Sequence, residues 1–406
     1  MPIRVITPPD GLGATMPMSR QQLEQRLRGG RKLTDLGLYI HIPFCQKRCH
    51  FCAFYLTIHR EDLVRNFLLA LEQEIGLLAQ ILGDLPVSSV YVGGGTPTSL
   101  TSRQLVRILE VLAEQFHLTP QVEVTVEASP DTVTLPVLKA LRQAGVNRLS
   151  LGAQTFDQTV WVRLGRSGNI PATRMAIEYA RLVGFQNINV DLMYGLPDQT
   201  LESWQQSLTE VTLLNPTHVS CYALTLEEGT QFHMAALRGE IQVGQLELEN
   251  TMYETAISYL TTAGYEQYEI SNYCQPGNSC RHNLRYWTGQ DYLGMGPSAQ
   301  SYIGNVRFGN IDNLREYCRD LGQKELPLAS IETLTPPQAD RERVVFALRL
   351  VRGLNLQNLE EVPRDPHWWS AVQQLVDDGL LCDEGSTLRL TANGRRFADS
   401  VAVDLL

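Results

Sequence analysis

Between residues 36 and 223, short apolar runs alternate with longer stretches whose apolar positions recur at helical spacing. The runs Gly37–Ile42, Val87–Val92, Val122–Val126, Arg148–Leu151, Asn187–Leu192 and His218–Ala223 predict strands. Between them Glu61–Leu82, Leu105–Phe116, Leu135–Ala144, Ala172–Val183 and Leu201–Leu214 predict helices, two of them stopped by Gly145 and Gly184. In the first helix Leu63, Phe67, Leu68, Leu71, Ile75 and Leu78 form one stripe. Successive β/α units imply a parallel sheet, because each crossover helix returns the chain to the same edge. Eight units close a full barrel. The six strands here predict an α/β fold, a partial (β/α)6 barrel.

The pattern also divides the chain. Residues 1–35 hold Pro8-Pro9, Gly11, Gly13 and Gly29-Gly30, and predict a flexible tail with a short helix near 19–28. The barrel is expected over 36–230. An extension follows over 231–324, with an amphipathic helix at Leu246–Leu260 and a segment, 265–310, rich in Tyr, Asn and Gly. Helices at Arg341–Leu350 and Trp369–Asp378, then a short strand at Leu388–Thr391, predict a mostly helical accessory domain over 325–406.

Charge narrows the function. With 44 acidic and 34 basic residues the chain carries a net −10, which fits a protein partner better than nucleic acid. Arg389, Arg395 and Arg396 are too few to make the C-terminal end a DNA reader. No apolar run approaches the ~18 residues of a membrane span. The first twenty residues lack the apolar core of a signal peptide. A cytoplasmic location without a membrane anchor is expected, with at most peripheral membrane contact.

Eight cysteines are too sparse for a secreted disulfide scaffold. Three of them, Cys45, Cys49 and Cys52, form CxxxCxxC just after the first strand. Thiolates suit iron–sulfur clusters and zinc. Three would leave a tetrahedral zinc site incomplete unless His50 joined them, and would leave one iron of a [4Fe–4S] cluster open. Cys274 and Cys280 have a poor spacing for a second metal site, and Cys221, Cys318 and Cys382 read as buried small hydrophobes. Other chemistry-bearing residues also follow strands: Gly93-Gly94-Gly95, Glu127, Gln154 and Asp191. In parallel α/β folds that rim is where ligands bind.

The triplet and the glycine-rich strand end resemble the radical S-adenosylmethionine (SAM) superfamily. The resemblance implies that three cysteines hold a [4Fe–4S] cluster, that SAM chelates the fourth iron, and that an electron from the cluster splits SAM to methionine and a 5′-deoxyadenosyl radical. More narrowly, Tyr39-Ile-His-Ile-Pro-Phe-Cys45, Gly93–Thr98, Ser150–Phe156 and Asp191–Pro197 resemble the oxygen-independent coproporphyrinogen III oxidase (HemN) family and its heme-chaperone (HemW) relatives. By this resemblance Gly94, Gly95 and Thr96 meet the SAM amino group, Tyr39 lies beside the cluster, and Phe51 stacks near the adenine. Glu127 faces the methionine end and Asp191 a ribose hydroxyl. Gln154 and Arg166 supply polar contacts, Arg166 to a carboxylate, and Ala223 lines the adenine site through its backbone.

Two features separate the relatives. The oxidases carry a further cysteine two residues past the triplet, where this chain has Phe54; the chaperones have an aromatic there. The chaperones also carry HNxxYW, here His282-Asn283-Leu-Arg-Tyr286-Trp287, proposed to bind heme. The resemblance therefore implies a carrier that binds heme, cluster and SAM and delivers heme to respiratory hemoproteins, without turning over coproporphyrinogen III. The alternatives are the oxidase itself, converting coproporphyrinogen III to protoporphyrinogen IX, or an enzyme acting on another tetrapyrrole. Gly168 and Gln300 stand where relatives often have His, which puts the local geometry at both positions in question.

Overall fold

The computed structural model describes residues 16–17, 19–29, 34–359 and 365–406. Its centre is the predicted run of parallel strands: β1 (Leu36–Ile42), β2 (Pro86–Gly94), β3 (His117–Ala128), β4 (Arg148–Gln154), β5 (Asn187–Tyr194) and β6 (His218–Ala223), paired in that order. The crossover helices are α1 (Glu61–Leu82), α2 (Ser102–Gln115), α3 (Leu135–Gln143), α4 (Ile170–Leu182) and α5 (Leu201–Leu214).

These strands are two-faced. Leu36, Leu38, Ile40 and Ile42 of β1 are buried on one side, as are Val124 and Val126 of β3, Leu149 and Leu151 of β4, and Val190 and Leu192 of β5. They pack against the helices in one continuous core. The alternate residues are polar: Tyr39 and His41, Ser89 and Tyr91, Glu123, Thr125 and Glu127, Arg148 and Ser150, Asn189 and Asp191, His218 and Ser220. Parallel strands buried on both faces usually read as continuous apolar runs. Here the inner face is a hydrogen-bonded polar interior: Asn189 bridges Ser150 (2.8 Å), His218 (2.6 Å) and Ser220 (3.1 Å).

The sheet grows beyond the six strands. After α6 (Leu246–Thr262) comes a hairpin of β7 (Glu266–Glu269) and β8 (Asn272–Cys274), in which β8 pairs antiparallel with β6 and β7 forms the outer strand. A short helix, α7 (Arg281–Trp287), closes the lower end of the interior. Then β9 (Tyr292–Met295) pairs parallel with β1, a seventh parallel strand that the Tyr- and Gly-rich composition of 265–310 concealed. The strands β10 (Gln300–Ile303), β11 (Val306–Asn310) and β12 (Leu328–Thr333) extend that edge antiparallel, with α8 (Leu314–Gly322) against α1.

The accessory region has its own core. Helices α9 (Pro336–Ala347), α10 (Pro366–Asp377) and α11 (Ala398–Leu405) and a three-stranded sheet, β13 (Leu354–Asn355), β14 (Leu381–Asp383) and β15 (Thr387–Leu390), bury Val344, Trp368, Val372, Leu388 and Val401. The short helix expected within the tail, Arg20–Gly29, is formed, and Leu23 and Leu27 are buried in the main core. That stretch is therefore packed rather than free, because its two leucines fall one helical turn apart on a single face. The remainder of the expected tail lies mostly outside the described residues. Among the described residues no helix is long and apolar enough to cross a membrane.

Candidate functional site

The rim at the carboxyl ends of the strands is assembled by loops tied to one another through backbone. The 43–60 loop carries the three cysteines. It folds back on itself through Thr57 N–H to Pro43 O (2.6 Å) and His59 N–H to Cys45 O (2.9 Å). Across the rim, Gly95 N–H donates to Ile42 O and Thr96 N–H to Phe44 O, both at 2.8 Å. This pins the glycine turn against the cysteine loop. A Cβ on Gly95 would lie 3.1 Å from Cys45 Sγ and closer still to Phe44 O, so glycine is what permits the approach. Gly94 has φ +107, and a Cβ there would strike the His41 ring.

Cys45 is buried; Cys49 and Cys52 are half-buried. Burial raises all three thiols, Cys52 to about 11, and neighbouring cysteine charge raises Cys45 and Cys52 further. Arg166 opposes this at Cys45 and Cys49, and Arg48 at Cys45 and Cys52. A local cation field of this kind favours thiolates. His50 is turned away: its Nδ1 meets Arg163 O at 2.9 Å and its ring packs on Phe232. The zinc alternative thereby loses its fourth ligand. Among the described residues no three His, Cys, Asp or Glu side chains converge on one point as a lone ion requires. A cluster takes one thiolate at each of three irons. The donor set fits it.

The polar residues expected at the rim come together around this loop. Glu127 accepts the Tyr91 hydroxyl at Oε1 (2.8 Å) and the Gly94 N–H at Oε2 (3.2 Å). Burial raises its pKa, and Asp191 across the rim adds to that. Asp191 is held by Asn189 Nδ2 (2.7 Å) and the Ser150 hydroxyl (3.4 Å). Gln154 closes β4 at a bulge with φ +70. Arg166 stacks over Trp161 at 5.2 Å and donates to Ser129 Oγ at 3.4 Å. Tyr39 donates to or accepts from His41 Nδ1 (3.1 Å) and stacks on Tyr91. Phe51 joins a small apolar cluster with Val160, Leu164 and Phe232, and Ala223 pairs with Tyr194 at the end of β6.

The HNxxYW residues lie elsewhere. They form α7 at the opposite end of the interior. His282 is buried, with Nδ1 at 3.0 Å from Ser89 Oγ and Nε2 at 2.9 Å from the Tyr286 hydroxyl. Burial, with Arg285 and Arg148 nearby, lowers its pKa to about 3, so the imidazole is neutral. Asn283 and Trp287 are half-buried, and Arg349 stacks over the Trp287 ring at 4.8 Å. Glu123 receives the backbone N–H groups of Arg281 and His282, both at 3.1 Å, and Cys280 donates to it. Arg285 pairs with Asp35 and donates to Ser88 Oγ (2.6 Å). Cys221 and Cys274 are buried as well, whereas Cys318 and Cys382, expected inside, are only half-buried.

Three residues escaped the sequence reading. His41, with its pKa lowered to about 4 by burial, backs Gly94 and meets Tyr55 O at 2.9 Å. Tyr91 links β2 to Glu127, and Ser129 meets Arg166. The signal for the first two was the polar half of the strand alternation. At the two departures from the relatives, a Cβ on Gly168, at φ +83, would lie 2.5 Å from Asp131 Cβ, and Gln300 is an exposed residue of β10 opposite Gly309 of β11.

The interior of parallel strands, the three-thiol loop and the glycine turn against it define a radical SAM protein. The chain matches the Radical SAM superfamily over residues 39–211 and the HemN C-terminal domain over 334–397. It is 34% identical over 367 residues to the heme chaperone HemW of Bacillus subtilis, covering 89% of this chain and 97% of that one. It is 36% identical over 373 residues to HemW of Mycobacterium tuberculosis, covering 91% and 94%. The chain belongs to the HemW family of radical SAM proteins. Its fold also resembles Escherichia coli HemN, a coproporphyrinogen III oxidase, with a TM-score of 0.84 and 28% identity, over 96% of this chain and 93% of that one.

Proposed function

We propose that this protein is a heme chaperone of the HemW type, which binds heme, a [4Fe–4S] cluster and SAM and hands heme to hemoproteins, respiratory ones among them. The observation that carries this reading is the likeness to the chaperones along nearly the whole chain, accessory region included. Phe54, where the oxidases place a cysteine, supports it.

Cys45, Cys49 and Cys52 hold the cluster, which supplies an open iron and one electron. The chain does the rest. The carbonyl- and carboxylate-lined turn at Gly94, Gly95 and Thr96, with Glu127 beside it, receives the SAM ammonium. Arg166 takes a carboxylate, and Asp191 a ribose hydroxyl. Tyr39, Phe51, Gln154 and Ala223 complete the walls and exclude water.

A cleft of about 580 Å³ opens where α7 ends against the accessory region, lined by Thr288, Arg343, Arg352, Ala347, Leu350 and Leu354. That volume is in the small-ligand range. Its apolar side chains suit a porphyrin face and its guanidinium groups suit propionates. The HNxxYW helix ends at Thr288 on the edge of this cleft, and its residues His282, Asn283, Tyr286 and Trp287 remain the candidate heme contacts. Iron ligation by His282 requires the imidazole to exchange Tyr286 for the metal.

One reconstituted sample tests the reading. Hemin should give a Soret band that diminishes in the Arg343→Gln/Arg352→Gln variant, and anaerobic incubation with coproporphyrinogen III, SAM and a reductant should give no protoporphyrinogen IX. A vinyl product would make the protein an oxidase.

A further inference from the structure

His282 sits at the floor of the interior and Glu127 at its rim. One side chain spans the distance between them. The Tyr91 ring lies on the His282 imidazole, with centroids 5.3 Å apart and planes 28° apart. Its hydroxyl reaches up to Glu127 Oε1 at 2.8 Å. The Tyr91 ring also meets Tyr39, its neighbour on β1, at 6.3 Å and again 28°. Two neighbouring rings thus hold Tyr91, and this clamp sets where its hydroxyl points.

The lower jaw is fixed in all directions. Ser89 and Tyr286 engage the two ring nitrogens of His282, and Glu123 holds its backbone N–H at 3.1 Å. The ring therefore has one plane available. The upper end is equally specific. Glu127 gives its second oxygen to Gly94 N–H at 3.2 Å, and a Cβ on Gly93 would come within 2.9 Å of the carboxyl group. The carboxylate is packed into the glycine turn with no slack on that side. Each oxygen retains a lone pair for a ligand.

We infer that His282 is a positioning residue for the SAM site: through Tyr91 it aims the Glu127 carboxylate at the glycine turn. This rests on the reading of Gly94 and Glu127 as the seat of the SAM ammonium. It gives the HNxxYW helix a task in the barrel that is separate from any contact with heme. It also couples the two ends of the interior. Drawing the imidazole away from Tyr91 and Tyr286 loosens the clamp, so a ligand that recruits His282 weakens SAM binding, and by linkage SAM weakens that ligand equally.

The test uses the full chain, first without cofactors. Amide hydrogen exchange of a peptide covering Gly93 to Thr96 should quicken in His282→Ala and stay near native in His282→Phe, which keeps a ring on Tyr91. With the cluster loaded and its iron content matched, SAM affinity by equilibrium dialysis should fall about three- to tenfold in His282→Ala, the worth of one aromatic pair. It should return most of the way in His282→Phe, while the hemin Soret band, if imidazole ligates iron, stays lost in both. Tyr91→Phe, which removes only the hydroxyl, should quicken exchange at Gly94 as well. Native exchange and native SAM affinity in a folded His282→Ala would overturn the inference, as would His282→Phe behaving like His282→Ala. If native protein fails to bind SAM, the site reading falls, and the exchange measurements still decide whether His282 orders the turn.

Discussion

Glu74 of α1 is almost fully buried, at 1% exposure, and every group around it donates. Its Oε2 accepts Gly296 N–H (2.8 Å) and the Tyr317 hydroxyl (2.5 Å), and its Oε1 accepts Asn310 Nδ2 (2.5 Å). Burial raises its pKa from 4.5 to about 7 against the pull of these donors. In the folded protein the group therefore keeps its proton at pH values where the unfolded chain has lost it. Its contribution to stability is largest below pH 4.5 and declines as pH rises to about 7. The full decline is the shift times 1.36 kcal/mol per unit, or about 3 kcal/mol. Glu74→Gln removes the titration and leaves one amide N–H facing a donor, a constant cost of about 1–3 kcal/mol. Urea unfolding of both proteins, followed by circular dichroism from pH 5 to pH 8, measures the difference. The native protein should lead at pH 5, and its lead should shrink by pH 8. A gap that is constant with pH would refute the assignment, and a gap that widens would show that the donors outweigh burial.

Three further outcomes are expected. Asp35→Asn strips the charge partner from Arg285, which is 3% exposed, and should cost about 3 kcal/mol by denaturant unfolding, with the loss of order concentrated in α7. Gly94→Ala forces a side chain to φ +107 and into the His41 ring; it should lower SAM affinity roughly 5- to 150-fold, the equivalent of about 1–3 kcal/mol of backbone strain, while cluster loading persists. Cys49→Ala should lose the broad iron–sulfur absorbance near ~400 nm after reconstitution, and retention of that band would remove Cys49 from the ligand set.

Apolar period alone located the six strands and five helices, because a strand buried by helices on one side must repeat Leu, Ile and Val. The same period marked Cys45, Cys49 and Cys52 and the ends of β2 to β5 as one rim. Two things stayed hidden. The seventh parallel strand, Tyr292–Met295, is four residues long, contains Gly294 and is followed by Gly296, so its pairing with β1 rests on tertiary contact rather than on any local pattern. The orientation of HNxxYW was also illegible. His282 and Tyr286 are one helical turn apart, which says that they share a face. Only the cap from Glu123 and the ion pair to Asp35 decide that this face looks into the barrel.

The pairing of β9 with β1 has a consequence for biosynthesis. Gly37 and Tyr292 lie side by side although about 255 residues separate them in the chain. While the protein is being made, β1 therefore presents a bare edge, next to the cysteine loop, until nearly three-quarters of the chain has left the ribosome. The interior floor, α7, emerges just before the strand that covers that edge. A cluster delivered early would meet reduced thiols on a loop whose supporting sheet is half-built. The sheet that supports the cysteine loop is thus complete only once β9 has docked against β1.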